Sequence, residues 1–346
     1  MQRRTLGRTG ISVGKFALGT MHLGAWGNSD HDDAVRLVHS ALDAGVNLID
    51  TADMYSDGEA ETIVGKALKG GRRDDVVLAT KGHFPMGPDA NHGGNSRRWL
   101  TRAVEDSLRR LDTDRIDLYQ VHRPDPSTDI DETLSVLSDL VRAGKIMAIG
   151  SSDFPAEQLV EAQWTAGERG HVPFRAEQPP YSVFVRGAER HVLPTAQKYG
   201  LGVLTWSPLN SGWLTGRFRR GGEIEMSGFR QLISHKFDLE LPGNQRKLAA
   251  VEELLRLADE SGLPLSHLAL AFAASHPAVS SVILGPRTHE QLADALAAAD
   301  VRLDDEVLDR IDAIVAPGTD LNPSDIDYTP AHLLSAEQRR RPPRER

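Results

Sequence analysis

The chain has 346 residues, with 40 Lys and Arg against 49 Asp and Glu and no cysteine, for a net charge of −9. An acidic chain without a basic stripe is not built for nucleic acid, and a chain without thiols has no disulfide, zinc–thiolate site, iron–sulfur cluster or cysteine nucleophile. There is ample length for a large core and no run of about 18 apolar residues to cross a membrane. The opening MQRRTLGRTG is charged and lacks an apolar stretch, so a soluble, cytoplasmic protein without a secretory signal is expected.

Residues 2–15 hold two short alternating runs around Gly7-Arg8-Thr9-Gly10, the pattern of a small hairpin. Phe16–Thr20 reads as a first buried strand, followed by a Gly-rich segment with His22 and Trp26. Apolar spacing of three and four predicts a helix over 31–44, stopped at Gly45. The alternation then repeats. Strand 46–50 precedes a helix near 59–69, and strand 76–81 a helix over 97–111 opened by Ser96. Strand 116–121 precedes helix 130–143, strand 145–150 helix 155–167, and strand 174–178 helix 187–199. Strand 202–206 leads into a long connection, 210–244, and helices 245–261 and 264–275. Strand 280–285, helix 288–299 and an amphipathic piece at 304–315 complete the core.

Eight strand–helix units imply a parallel sheet with helices outside, and eight is the count of a (β/α)8 TIM barrel. The expected architecture is one barrel domain over 1–317, with an N-terminal hairpin and a long loop after strand seven. No Gly-x-Gly-x-x-Gly follows the first strand, which weakens a Rossmann reading. Residues 318–346 read as a C-terminal extension whose end, QRRRPPRER, is expected to be disordered.

In such a barrel the working site lies at the C-terminal ends of the strands. Those ends carry Asp50, with Tyr55 in its loop, then Lys81, His122, Ser151-Ser152-Asp153, Glu177-Gln178, Trp206-Ser207, and Gly285 with Arg287. Each has an ordinary explanation: Asp50 as a turn residue, Lys81 as a solvated strand end, His122 as a hydrogen-bonded structural residue. On three adjacent strand ends, however, Asp50, Tyr55, Lys81 and His122 face one small volume. A tyrosine has a pKa near 10, and a neighbouring ammonium lowers it. Lys81 is the candidate for that role, held and aimed by Asp50, so that Tyr55 becomes a general acid near neutral pH. His122 would orient a substrate oxygen. Such a group polarises and protonates a carbonyl but has no reductant, so a hydride donor is needed.

The chain resembles an aldo-keto reductase from about residue 2 to 317. The matching pieces are LGxTGxxVxxFALGT, NLIDTADMYxxGxxE, LATK, DLYQVHRPD, GKIMAIGSSDF, TWSPLNSGWLTGRF and VILGPRTHEQL. HRPDP and the long strand-seven loop resemble the branch of bacterial reductases and potassium-channel β subunits. The resemblance implies NADPH-dependent reduction of a small-molecule carbonyl, with Asp50, Tyr55, Lys81 and His122 as the catalytic set. It implies that Ser152, Asp153 and Gln178 hold the nicotinamide carboxamide. Asp153 stands where the family has Asn, which keeps an acceptor and loses a donor. Trp206 would stack on the nicotinamide. Leu209, Leu214, Gly216 and Arg217 would cover the pyrophosphate, and Gly285, Arg287 and Gln291 would grip the adenosine end. Arg287 favours NADPH through the 2′-phosphate, while Ala295 replaces a frequent family Asn. Thr20, Asp50 and Ser207 complete the implied cofactor set.

Loops after strands one to four and after strand seven would supply the substrate wall, with Met21, His22, Trp26, Met54, His83, Phe84 and Arg123 as candidates. The aromatic and thioether groups suit a flat or apolar carbonyl compound, the histidines and Arg123 a polar or anionic one. A cofactor-binding regulatory subunit with little turnover is the alternative. A metal-dependent hydrolase would need clustered ligands at strand ends, and His122 is the one histidine placed there. No metal is called for. A serine hydrolase would need Gly-x-Ser-x-Gly, which is absent. No membrane partner is expected, and an oligomer is compatible with the sequence.

Overall fold

Alternating side chains decide the architecture. In a strand, successive residues face opposite sides. Here one side builds an inner apolar cluster with Ala17, Leu48, Ala79, Leu118, Ala148, Ala176, Leu204 and Ile283. The other side, including Phe16, Leu18, Ile49, Leu78, Tyr119 and Ile149, packs against the surrounding helices. Both faces of the sheet are therefore buried, the condition for a parallel sheet. The computed structural model describes residues 1–219, 221, 222, 231 and 233–334. The expected disorder at the chain's end, from residue 335 on, and residues 220, 223–230 and 232 of the long loop lie outside the described residues.

The strands are β3 (Phe16–Gly19), β4 (Leu48–Asp50), β5 (Val77–Gly82) and β6 (Ile116–Val121). They continue as β7 (Ile146–Ser152), β8 (Ala176–Gln178), β9 (Gly202–Thr205) and β10 (Val279–Leu284). They close in the order β10-β3-β4-β5-β6-β7-β8-β9, all parallel, as the eight-unit reading requires. A separate antiparallel hairpin, β1 (Arg3–Thr5) with β2 (Ser12–Gly14), precedes the barrel. Its Leu6 and Val13 enter the inner cluster, so the hairpin packs onto the N-terminal end of the barrel interior.

The helices are α1 (His31–Asp43), α2 (Glu59–Ala67), α3 (Arg97–Leu111), α4 (Ile130–Arg142) and α5 (Ala156–Arg169). After them come α6 (Val192–Tyr199), α7 (Pro242–Glu260), α8 (Leu265–Ser275), α9 (His289–Ala297) and α10 (Asp305–Ile314). Several starts are set by side-chain caps. Asp30 accepts from the amides of Asp32 and Asp33, Ser96 from Trp99, Asp129 from Asp131, and Thr288 from Gln291. The segment read as one helix over 187–199 is instead a 3-10 turn at Gly187–Glu189 followed by α6. Pro194 has no amide proton and is tolerated only in a first helical turn, so the helix begins just before it.

After β9 the chain runs through 3-10 turns at Asn210–Thr215 and Ser234–Lys236. Trp213 anchors this stretch, stacking on Phe218 at 4.7 Å and lying near-parallel to Phe237 at 6.0 Å. Residues beyond 317 pack back on the barrel: Leu321 N donates to Phe184 O at 3.0 Å, and Asp325 Oδ2 accepts from Asn210 Nδ2 at 3.1 Å. Asp325 pairs with Lys247 Nζ at 3.1 Å with both side chains buried.

Candidate active site

The inner alternation continues past the apolar layer. Two residues beyond Leu48, Ala79, Leu118 and Ala176 stand Asp50, Lys81, Gln120 and Gln178. The barrel thus changes from an apolar layer to a polar one within a single pleat, toward the C-terminal ends of the strands. Lys81 Nζ donates to Asp50 Oδ2 at 2.6 Å and to Thr51 O at 2.8 Å, and lies 3.3 Å from Tyr55 OH. The Lys81 and Asp50 side chains are 0% and 3% exposed. Asp50 Oδ1 accepts from Gln178 Nε2 at 2.8 Å and Gln120 Nε2 at 3.2 Å. Tyr55 and His122 meet edge-on, with ring centroids 5.9 Å apart. The four residues singled out in the sequence therefore form one cluster.

Burial works against the Lys81 charge, but Asp50 and then Tyr55 outweigh it and raise Lys81 above the ordinary lysine value. Tyr55 differs from the sequence expectation. Burial raises its phenol above the ordinary value, and Lys81, pulling the other way, does not overcome this. The phenol is consequently a proton-loaded acid across the neutral range rather than one poised near neutrality. Burial, then Lys81, Arg123 and His83, push His122 well below its usual range, so its ring is neutral. Its Nδ1 is enclosed without a partner among the described residues. Asp53, in the loop that carries Tyr55, has both carboxyl oxygens enclosed without a partner among the described residues. Burial and Glu61 raise its carboxyl to about 8.

Thr20 is fully buried and turned toward β4, its hydroxyl donating to Asp50 O at 3.1 Å. Ser152 Oγ donates to Gln178 O at 3.0 Å. Asp153 sits in the left-handed region (φ 57°), which Asp and Asn adopt more readily than other L residues. The Asp in place of Asn thus keeps the backbone shape. Its carboxylate is engaged within the protein: Oδ1 accepts from Trp206 Nε1 at 3.1 Å, and Oδ2 lies 2.5 Å from Arg123 Nη1. Burial nonetheless raises Asp153 to about 6, against the pull of Arg123 and Trp206. Gln178 differs. Both its bonds run from its nitrogen, to Asp50 and to Gln120 Oε1 at 3.2 Å. Among the described residues nothing donates to its Oε1.

The proposed substrate wall is partly assembled. Trp26 lies 6.2 Å from Tyr55, Phe84 meets His122 edge-on at 4.9 Å, and Arg123 sits over Phe84 at 5.5 Å. His83 packs on Phe84 at 5.3 Å and bonds Asn95 Oδ1 at 2.8 Å. Met21 and Met54 are half-buried beside the ends of β3 and β4. His22 stands nearer β10: a Cβ at Gly285 would meet its Cδ2 at 3.8 Å. Burial, then Arg287, lowers His22 to about 4.

Of the residues implied for the cofactor, Asp50 belongs to the tetrad and Thr20 and Gln178 bond to it; the others stand apart from it. They occupy the β7–β10 arc of the mouth, and the tetrad the β4–β6 arc. Ser207 adopts φ 56° and its hydroxyl accepts from Ser211 N at 3.3 Å. Leu209 is half-buried, Leu214 buried and Arg217 exposed, and Gly216 has φ 79°. Arg287 N donates to Gln291 Oε1 at 2.9 Å, and the Arg287 guanidinium makes no ion pair among the described residues. Gln120 and Glu177 are buried polar residues of the mouth to which the sequence assigned no role. Parity with His122, two residues on, was the signal for Gln120. For Glu177 the signal was its place at a strand end, but its partners, Ser151 and Phe154, come from another strand and loop and were not readable.

A closed parallel barrel with an Asp–Lys–Tyr–His cluster at its C-terminal mouth defines a class. The aldo/keto reductase family profile matches residues 15–316. The chain is 39% identical over 330 residues to "Uncharacterized oxidoreductase YrpG" of Bacillus subtilis (strain 168), covering 92% of this chain and 97% of that protein. It is 38% identical to "Probable voltage-gated potassium channel subunit beta" of Oryza sativa subsp. japonica, covering 91% and 97%. It is 37% identical to "Aldo-keto reductase YhdN" of B. subtilis (strain 168), covering 84% and 87%. The chain belongs to the aldo/keto reductase family, an oxidoreductase family.

Glu177 gives a pH test of the mouth. It is fully buried; Ser151 Oγ donates to its Oε2 at 2.5 Å and Phe154 N to its Oε1 at 3.1 Å. Burial, with Asp153 adding to it, raises its carboxyl from 4.5 to about 8. Between those values the folded state holds a proton that the unfolded chain releases, so stability falls as pH rises. Asp53, raised to about 8, adds a decline of the same sign over this window. Urea unfolding of wild type and Glu177→Gln is therefore expected to show a steeper decline in wild type than in the variant, by up to about 1.4 kcal/mol per pH unit. Parallel profiles would place the Glu177 proton elsewhere.

Proposed function

We propose that the protein reduces an aldehyde or ketone to the alcohol with NADPH, and that Tyr55 gives the proton. The observation that carries this is Lys81 Nζ, 2.6 Å from Asp50 Oδ2 and 3.3 Å from Tyr55 OH, with the His122 ring beside the phenol. A substrate oxygen between Tyr55 and His122 would meet one proton donor and one neutral imidazole. Tyr55 protonates that oxygen as negative charge develops on it. Lys81, kept charged by Asp50, stabilises the phenolate left behind. Trp26 and Phe84 flank the position and favour a substrate with a flat or apolar body next to its carbonyl.

The β7–β10 arc fits a dinucleotide. Gln178 Oε1 lacks a donor and the Arg287 guanidinium lacks a counter-ion among the described residues. A Cβ at Gly285 would meet nothing nearer than His22 Cδ2. Gln178 would hold the carboxamide, Trp206 would stack on the nicotinamide, Arg217 would face the pyrophosphate, and Arg287 would take the 2′-phosphate. NADPH bound there supplies the hydride.

A second reading, a cofactor-binding subunit with little turnover, is favoured by the relative named as a potassium-channel subunit. The two readings separate in one assay. Purified protein is expected to oxidise NADPH only when an aldehyde or ketone is added. Binding without consumption, across a panel of aldehydes, ketones and keto-sugars, would favour the subunit.

Tyr55→Phe is expected to retain NADPH affinity and to lower carbonyl reduction by about 10²-fold or more; wild-type turnover in that variant would remove Tyr55 as the acid. Arg287→Ala is expected to weaken NADPH by about tenfold while leaving NADH within a few-fold. Equal losses for the two cofactors, by fluorescence titration, would count against a 2′-phosphate contact.

A further inference from the structure

Gln120 has no part in the scheme above, yet it sits at its centre. It lies on β6, register-paired with Lys81 of β5, and is fully buried. A buried amide is costly unless its groups are bonded. Gln120 Nε2 donates to Asp50 Oδ1 at 3.2 Å, and its Oε1 accepts from Gln178 Nε2 at 3.2 Å. Gln178 Nε2 also donates to Asp50 Oδ1 at 2.8 Å. The three groups form a closed ring of hydrogen bonds.

Chemistry fixes which way both amides point. An ionised carboxylate only accepts, and Asp50 is the ion-pair partner of Lys81 at 2.6 Å. Both glutamines must therefore turn nitrogen toward Asp50. The Gln120 oxygen is then left to receive the second Gln178 proton. With both Gln178 N–H groups used, the one Gln178 side-chain atom without a partner is Oε1, which is not among the enclosed unpartnered atoms. A flipped Gln178 would set its oxygen against the Asp50 carboxylate and the Gln120 oxygen.

We propose that Gln120 is a positioning residue that locks the Gln178 amide with its oxygen facing the cofactor, so that the site demands an N–H donor there and selects the nicotinamide carboxamide. This rests on the NADPH reading above. Asp153, with Trp206 on one oxygen and Arg123 beside the other, leaves Gln178 as the acceptor for that group. Gln120 acts through Gln178 and touches no reacting atom.

The test compares binding of NADPH with that of its 3-acetylpyridine analogue, which carries a methyl ketone in place of the amide and so has no N–H to give. Calorimetric titration of wild type is expected to show a preference for NADPH of about tenfold, the scale of one buried hydrogen bond. In Gln120→Met, similar in length and unable to hold the second Gln178 proton, the Gln178 amide is held by its bond to Asp50 alone, so turning its nitrogen to the ketone gives up one bond instead of two. The preference is then expected to fall to about twofold. Gln120→Leu is the second apolar variant should the first not fold. A role in packing alone would weaken both ligands together and leave their ratio unchanged, and that result would overturn the proposal. If wild type binds neither dinucleotide, the NADPH reading fails and this inference with it; if wild type binds both and the ratio holds in the variants, the inference alone fails.

Discussion

The structure turns on a buried ion pair. Lys81 and Asp50 meet at 2.6 Å with side chains almost wholly removed from water. Taking two charges out of solvent is expensive, and their attraction offsets the cost only where the remaining donors and acceptors are also satisfied. Here they are: Lys81 also donates to Thr51 O, and the free Asp50 oxygen accepts from two glutamine amides. The pair is therefore better understood as a device for placing a permanent positive charge under the Tyr55 phenol than as a source of stability. Loss of either partner would strand the other charge, at about 3–5 kcal/mol.

Around that pair the barrel separates support from chemistry. The inner apolar cluster lies one pleat below the polar layer, so the side chains of the site stand on strands whose positions are fixed by packing. Loops complete the rim, and backbone strain collects in them. Ser56, Asp57, Asp153, Ser207, Asn210 and Ser211 all have positive φ, and all follow Tyr55, β7 or β9. Such conformations persist where surrounding contacts over-determine them. Asp153 shows how: Trp206, Arg123 and the backbone bond from its amide to Gln178 O all hold it.

Much of this was legible in the sequence, for physical reasons that differ from element to element. The start of helix α3 was readable because Ser96 is a side-chain cap whose function is local. The barrel was readable because period-two and period-3.6 patterns alternate along the chain. The tetrad was readable because polar residues at strand ends in a parallel barrel share one mouth. Strand limits were less so, since pairing decides them. β7 extends to Ser152 because β8 offers register partners for Ser151 and Ser152. β4 begins at Leu48, the first residue with a register partner on β5. The Arg123–Asp153 pair and the Gln120–Gln178–Asp50 ring join residues 30 to 128 positions apart, which no local pattern announces. The Tyr55 phenol was misjudged because neighbouring charge can be read from residue types, whereas the depth of burial cannot.

The central claim is that a buried, charged lysine beneath Tyr55 makes carbonyl reduction possible. It is tested most directly by single-turnover mixing of NADPH-loaded wild type and Lys81→Met with an aldehyde, following loss of the dihydronicotinamide absorbance. Wild type is expected to oxidise its bound cofactor, and Lys81→Met, still loaded, to do so more slowly by about 10²-fold or more. Equal rates in the two proteins would contradict the account.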